Sequence, residues 1–225
     1  CRLCGSALPA DHLLCRYCEA VFKTPAPHLC RCGLTAALPP EAADHPELCG
    51  RCLKRPPAFD GVWPALIYAP PLDRLIGDYK HRGRLERERL LLRLWRRRLA
   101  ETPPPDPDAL VPLPCHWRRQ WRRGFSQPDR LAAELALALD RPMVRALERR
   151  RATPAQQGLT RAARERNLAR AFHCVHPVSG LRLALIDDVM TTGSTARLAS
   201  RVLRDAGAAR VDVWVLARTP ATKVS

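Results

Sequence analysis

Thirteen residues, Leu183–Thr195, read LALIDDVMTTGST and concentrate the groups best suited to holding a ligand. The apolar run Leu183 to Ile186 predicts a buried strand of a parallel sheet, stopped by the adjacent carboxylates Asp187 and Asp188. Thr191, Thr192, Ser194 and Thr195 place hydroxyls around Gly193. From Ala196 the pattern turns helical, with Leu198, Val202 and Leu203 on one face and Gly207 as the C′ stop. A strand, a short hydroxyl-bearing loop and a helix N-terminus make a phosphate cradle. Unpaired N–H groups of the first helical turn and the positive end of the helix dipole converge there.

Two familiar phosphate sites are excluded. A P-loop needs its GK[ST] lysine and a dinucleotide fold its GxGxxG turn, and neither is present. Carboxylates beside a bound phosphate repel it unless they grip something neutral or cationic. A ribose diol satisfies them, each hydrogen bond to a charged acceptor contributing roughly 1.5–3 kcal/mol. A Mg²⁺ spanning sugar oxygens and a pyrophosphate satisfies them as well. The inferred ligand is a pentose 5-phosphate, its diol on Asp187 and Asp188 and its phosphate on Thr191, Thr192, Gly193, Ser194 and Thr195.

A second constellation is built of thiols. Eight of the ten cysteines fall in the first 52 residues, as Cys1-x2-Cys4, Cys15-x2-Cys18, Cys30-x-Cys32 and Cys49-x2-Cys52. A C-x2-C pair sets two thiolates on one tight turn, as each half of a tetrahedral Zn²⁺ ribbon requires. Disulfides are disfavoured where no secretory leader is seen, and a redox C-x2-C is expected once, beside a strand–helix unit. Cys30-x-Cys32 lacks one spacer residue. Either Cys30 ligates from a tighter turn, or His28 substitutes, or the second site is incomplete, so one or two zinc ions are expected. This segment has few large apolar residues. Metal, which contributes on the order of 10–16 kcal/mol in zinc-finger peptides, is expected to hold it together. Chelation is therefore expected to unfold residues 1–55 and to spare the sheet.

A third constellation, Trp117-Arg118-Arg119-Gln120-Trp121-Arg122-Arg123-Gly124-Phe125, follows a predicted strand directly. Trp117 and Trp121 could stack bases while Arg118, Arg122 and Arg123 neutralise phosphates, as in single-strand binding. The same guanidiniums could instead meet a pyrophosphate at the C-terminal end of the strand. Arg149–Arg170 is polar and basic with Gly158 in its middle, a candidate lid over an anionic ligand.

Elements that would position these groups are legible around them. Pro56 and Pro57 mark a boundary between a ribbon at 1–55 and a larger domain at 56–225. Phe59–Ala69 predicts a strand, placed at a sheet edge because Pro64 donates no ladder hydrogen bond. Leu72–Tyr79 and Leu85–Leu99 predict helices, joined by the basic turn Lys80–Arg84. The Arg96–Arg98 run reads as a solvated face. Ala109–Leu113 predicts a second strand, and Ser126 to Asp129 a capping box opening the helix Asp129–Leu139. Met143–Val144 predicts a short strand, Ala171–Val175 and Leu183–Ile186 two strands about a turn at Ser179-Gly180, and Arg210–Ala217 the last strand. Alternating strands and helices give an α/β fold with a mainly parallel sheet flanked by helices, in which ligands sit at strand C-termini.

Composition limits the function classes. The net charge of +16 favours polyanions, although an arginine- and alanine-rich composition produces such a charge without any partner. No run of eighteen apolar residues is present, and no charged-then-apolar leader precedes Cys1, so a cytoplasmic protein without a membrane span is expected.

Leu183–Thr195 resembles the phosphoribosyl-pyrophosphate (PRPP) motif of type I phosphoribosyltransferases, departing only at Ala184, where a larger aliphatic is usual. Nearly the full length further resembles the ComF family of competence-associated proteins, which includes GntX. The matching passages are CGRCLKRPPAFD at Cys49–Asp60, YAPPLDRLIGDYKHRG at Tyr68–Gly83 and VPLPCHWRRQWRRGFSQ at Val111–Gln127, with Ser126 where Asn is usual. Arg151-x-Thr153-x2-Gln156-x2-Leu159 and Arg164-x2-Asn167 complete them. The resemblance implies a phosphoribosyltransferase fold behind a double zinc ribbon, PRPP with Mg²⁺ as ligand, and a role in DNA uptake or utilisation. Leu29 stands where the family's third cysteine pair begins. Three functions fit: a phosphoribosyltransferase with an unidentified acceptor, a single-stranded-DNA-handling protein whose PRPP site is a sensor or vestigial, and an adaptor for other DNA-uptake proteins.

Overall fold

The structure is a computed structural model and describes residues 1–9, 12–35, 48–82, 85–115, 125–149 and 171–220. Strands β1 (Gly61–Ile67), β2 (Ala109–Pro112), β5 (Arg182–Met190) and β6 (Arg210–Arg218) form one parallel sheet in the order β1-β6-β5-β2. The central pair, β5 and β6, is covered on both faces and therefore reads as nearly unbroken apolar sequence. Pro64 lies on the edge strand β1, opposite Val215, where its missing donor is tolerated.

Two expectations are corrected. Asp187 and Asp188 do not stop the strand: β5 runs on to Met190, with Asp187 opposite Val215 and Met190 opposite Arg218. The neighbouring β6 is long enough to keep offering ladder partners. The carboxylates also accept from the chain itself, Asp187 Oδ1 from the Asp188 N–H at 2.8 Å and Asp188 Oδ1 from the Val189 N–H at 2.7 Å. The predicted strand at Ala171–Val175 does not pair across a turn with β5. As β4 (Phe172–Cys174) it joins β3 (Leu147–Arg149) in a separate antiparallel pair. Met143 makes only an isolated bridge to Leu110.

The helices are α1 (Arg16–Ala20), α2 (Gly50–Lys54), α3 (Leu72–Arg82), α4 (Leu85–Glu101), α5 (Gln127–Leu139) and α6 (Ser194–Asp205). Ser126 caps α5 by accepting from the Asp129 N–H, as the capping signal requires. Helix α6 buries Ala196, Ala199, Ser200 and Leu203, so small residues bring it close to the sheet while Leu198 and Val202 flank the contact.

Alternation along the strands divides the core in two. Leu66, Ala184, Ile186, Trp214 and Leu216 face α3, α4 and α5; Leu183, Leu185, Val211, Val213 and Val215 face α6 and the β3–β4 pair. The cysteine-rich segment contributes to both sides. Leu14, Cys18 and Phe22 belong to the first cluster, and Cys30, Cys32 and Cys52 to the second. Between them the Ile67 N–H donates to the Lys23 carbonyl at 2.8 Å, so this segment covers the otherwise open edge of β1. Arg97 of α4 pairs with Glu19 of α1 at 2.8 Å, so the Arg96–Arg98 run is in part a docking face rather than wholly solvated.

Shared burial changes what metal removal should do. Zinc chelation is expected to lower the melting midpoint of the whole chain, followed by near-UV signal from Trp95 and Trp214. The fall should be about 10 °C or more, since ~1 kcal/mol corresponds to about 2–4 °C in a chain of this size. A sheet transition unmoved by chelation would mean that the segment is an independent module.

Candidate functional site

At the C-terminal end of β5 the chain passes from Met190 into residues 191–193 and then into α6. Gly193 is the N-cap of α6, with φ +75°; a Cβ there would collide with the Met190 methyl, so glycine is needed both for conformation and for space. Thr191, Thr192, Ser194 and Thr195 are exposed beside it. The Thr192 and Ser194 hydroxyls lie 2.9 Å apart, and the Ser194 N–H points at Thr192 Oγ1 at 3.4 Å. The loop thus offers hydroxyls and first-turn amides to one volume, the arrangement suited to an anion.

The acidic pair lies immediately before the loop. Burial, and then the charge of Asp188, push the Asp187 carboxyl up to about 8. Asp188 is buried, and Lys80 Nζ from the end of α3 sits 2.7 Å from its Oδ2. Sequence reasoning placed Lys80 only in a basic turn. Its signal was its position in the KHRG passage, but the 107 residues of chain between Lys80 and Asp188 conceal the contact. The sequence also gave no sign of Arg218, the last residue of β6. This buried guanidinium donates from Nε to the Cys32 carbonyl at 3.0 Å. Its Nη1 reaches the carbonyls of Met190 at 3.0 Å, Thr219 at 2.8 Å and Thr191. Burial pulls the Arg218 pKa down from its usual value.

Two groups of four thiols form, one from Cys1, Cys4, Cys15 and Cys18, the other from Cys30, Cys32, Cys49 and Cys52. Within each, all four sulfurs lie within 4.8 Å of one another. Tetrahedral Zn–S bonds of about 2.3 Å place sulfurs about 3.8 Å apart. The separations are 3.9 Å for Cys4–Cys15, 3.8 Å for Cys32–Cys49 and 3.5 Å for Cys30–Cys32, so both sets fit zinc, and all ten cysteines are thiols. The short Cys30-x-Cys32 turn therefore does reach the quartet, while His28 is exposed and outside it. Backbone amides already point at the sulfurs, Cys18 N–H at Cys15 Sγ (3.4 Å) and Cys49 N–H at Cys30 Sγ (3.1 Å), as outer-shell partners of a thiolate do. Without metal the thiols differ: burial pushes Cys18 up to about 11, while hydrogen bonds from Ser6 bring Cys4 down to about 6.

Trp117, Arg118, Trp121, Arg122 and Arg123 lie outside the described residues, as do residues 150–170 of the candidate lid. Arg149 ends β3 and stacks over Phe172, 5.4 Å from the ring centroid. Among the described residues, no helix is long and apolar enough to cross a membrane.

Metal analysis of the zinc-loaded protein is expected to return two zinc ions per chain, falling to one in Cys30→Ser. Two retained ions in that variant would remove Cys30 from the ligand set.

No family model matches the chain. It is 39% identical over 227 residues to the DNA utilization protein YhgH of Escherichia coli (strain K12), covering 97% of this chain and 96% of that one. It is 34% identical over 222 residues to Competence protein F of Haemophilus influenzae, covering 95% and 94%. Among solved structures, it shows a partial likeness to an allosteric regulatory enzyme of purine biosynthesis, with TM-score 0.40 and 23% identity over 56% of this chain and 24% of that one. A second likeness is to the orotate phosphoribosyltransferase from Aeropyrum pernix, with TM-score 0.36 and 22% identity over 64% and 63%. Full-length identity at this level, together with the paired cysteine quartets, shows that the chain belongs to the ComF/GntX family, with YhgH and Competence protein F.

Proposed function

We propose that this protein binds PRPP with Mg²⁺ at the end of β5 and acts in DNA utilisation. One observation carries the reading: the carboxylates Asp187 and Asp188 directly precede a glycine-headed hydroxyl loop at a helix N-terminus, with a lysine at 2.7 Å from the second carboxylate. The 5-phosphate belongs on the amides and hydroxyls of residues 191–195, and the ribose diol on the acidic pair. Lys80 keeps Asp188 oriented along that edge. Mg²⁺, which takes one or two carboxylates together with substrate phosphates, supplies charge neutralisation at the pyrophosphate. Residues 1–55 form the metal-held ribbon of this arrangement and residues 56–225 the ligand-binding part. The DNA role is supported by the names of the full-length relatives and by the net charge of +16. Arg118, Arg122 and Arg123, with Trp117 and Trp121, are the groups proposed to meet the pyrophosphate or a nucleic-acid strand.

Calorimetry with PRPP and Mg²⁺ tests the site. The wild-type protein should release binding heat, and Asp187→Ala/Asp188→Ala should weaken binding by about 10-fold or more, the loss of at least one hydrogen bond to an ionised acceptor at ~1.5 kcal/mol. Equal affinity in the two proteins would overturn the assignment.

A further inference from the structure

The phosphate loop and the second cysteine quartet are joined by two arginines. Arg218 is 3% exposed, and its single guanidinium bridges the Cys32 carbonyl on one side and the Met190 and Thr191 carbonyls on the other. Gly33, next to Cys32, packs so closely that a Cβ would come within 2.7 Å of Val62 and 3.7 Å of Arg218 Cδ. The turn that carries Cys32 therefore packs directly on Val62 of β1, with the Arg218 side chain beside it. On the far side of the loop, Arg197 in the first turn of α6 donates to Cys52 Sγ at 3.5 Å and to the Arg55 carbonyl at 2.9 Å, and stacks over Phe59 at 5.7 Å. One cord runs from each half of the quartet, and they attach before and after residues 192–196.

We propose that Arg218 is a positioning residue that couples metal in the Cys30, Cys32, Cys49 and Cys52 quartet to affinity at the phosphate loop. The inference rests on the PRPP reading above. With zinc in place the Cys32 carbonyl is fixed, Arg218 is fixed by it, and the Met190 and Thr191 carbonyls are held so that the following amides face the ligand. When the metal leaves, the Cys32 turn loses its anchor and the loop is no longer held in one arrangement. Coupling of this kind is reciprocal: whatever factor the metal adds to ligand affinity, the ligand adds to metal retention. A guanidinium suits the role because its planar fork spans acceptors in two directions, which a lysine ammonium on a flexible stem does not.

The test follows zinc transfer from the full zinc-loaded chain to a chromophoric chelator, with Mg²⁺ alone or with PRPP and Mg²⁺. In the wild type PRPP should slow the release of one of the two ions at least threefold. In Arg218→Lys release of that ion should be faster without ligand, and PRPP should no longer slow it. Arg197→Gln, on the helix surface, should keep the fold and show a reduced PRPP effect, and it serves if Arg218→Lys does not fold. PRPP binding in the calorimeter with unchanged zinc release in the wild type would overturn the coupling and leave the binding site standing. Slowing that persists in Arg218→Lys and in Arg197→Gln would remove these residues as the link. Absence of PRPP binding would overturn the functional reading, and the coupling with it.

Discussion

Two adjacent carboxylates, Asp187 half-buried and Asp188 buried, near the end of a central parallel strand set the terms for their surroundings. Burial disfavours the charge of Asp187, and the Asp188 carboxylate beside it adds to that cost. Such a pair persists only where donors reach it. Here they come from the next backbone amides, from Lys80 on Asp188, and from the continued β5–β6 ladder that keeps the strand straight through both residues. The consequence is a strand whose polar end projects toward the hydroxyl loop. The glycine at the head of α6 then turns the chain so that amides and hydroxyls lie next to the carboxylates.

The cysteine-rich segment is part of the same construction. Its first quartet packs on the α3–α4–α5 side of the sheet and its second on the α6 side, with a backbone hydrogen bond closing the β1 edge between them. A segment this poor in large apolar side chains gains little from burial alone. Metal in the two quartets would give it rigid surfaces for the sheet to pack against, and the sheet in return shields Cys30, Cys32 and Cys52. Arg218, hydrogen-bonded to the Cys32, Met190 and Thr191 carbonyls, joins the turn of the second quartet to the loop that opens α6.

What the sequence revealed was local in the chain. The acidic pair, the glycine and the hydroxyls lie within nine residues, and each cysteine pair within four, so spacing alone discloses their chemistry. The edge position of β1 was legible from Pro64, and the cap of α5 from Ser126. Contacts made by topology were hidden. Lys80 meets Asp188, and Arg218 meets Cys32, only after the parallel crossovers and the folded ribbon bring distant elements together. The extent of β5 was misjudged because carboxylates usually end strands, and composition could not show that β6 would continue to pair beside them. The ribbon looked separable because its composition changes at Pro56 and Pro57, whereas its packing crosses that boundary.

The central claim is that this acidic pair and loop together hold a ribose 5-phosphate. A crystal structure of the zinc-loaded protein grown with PRPP and Mg²⁺ tests it most directly. The account predicts the 5-phosphate against the amides of residues 192–195 and the ribose hydroxyls on Asp187 and Asp188. PRPP bound elsewhere, or bound at the loop with its diol turned away from both carboxylates, would contradict it.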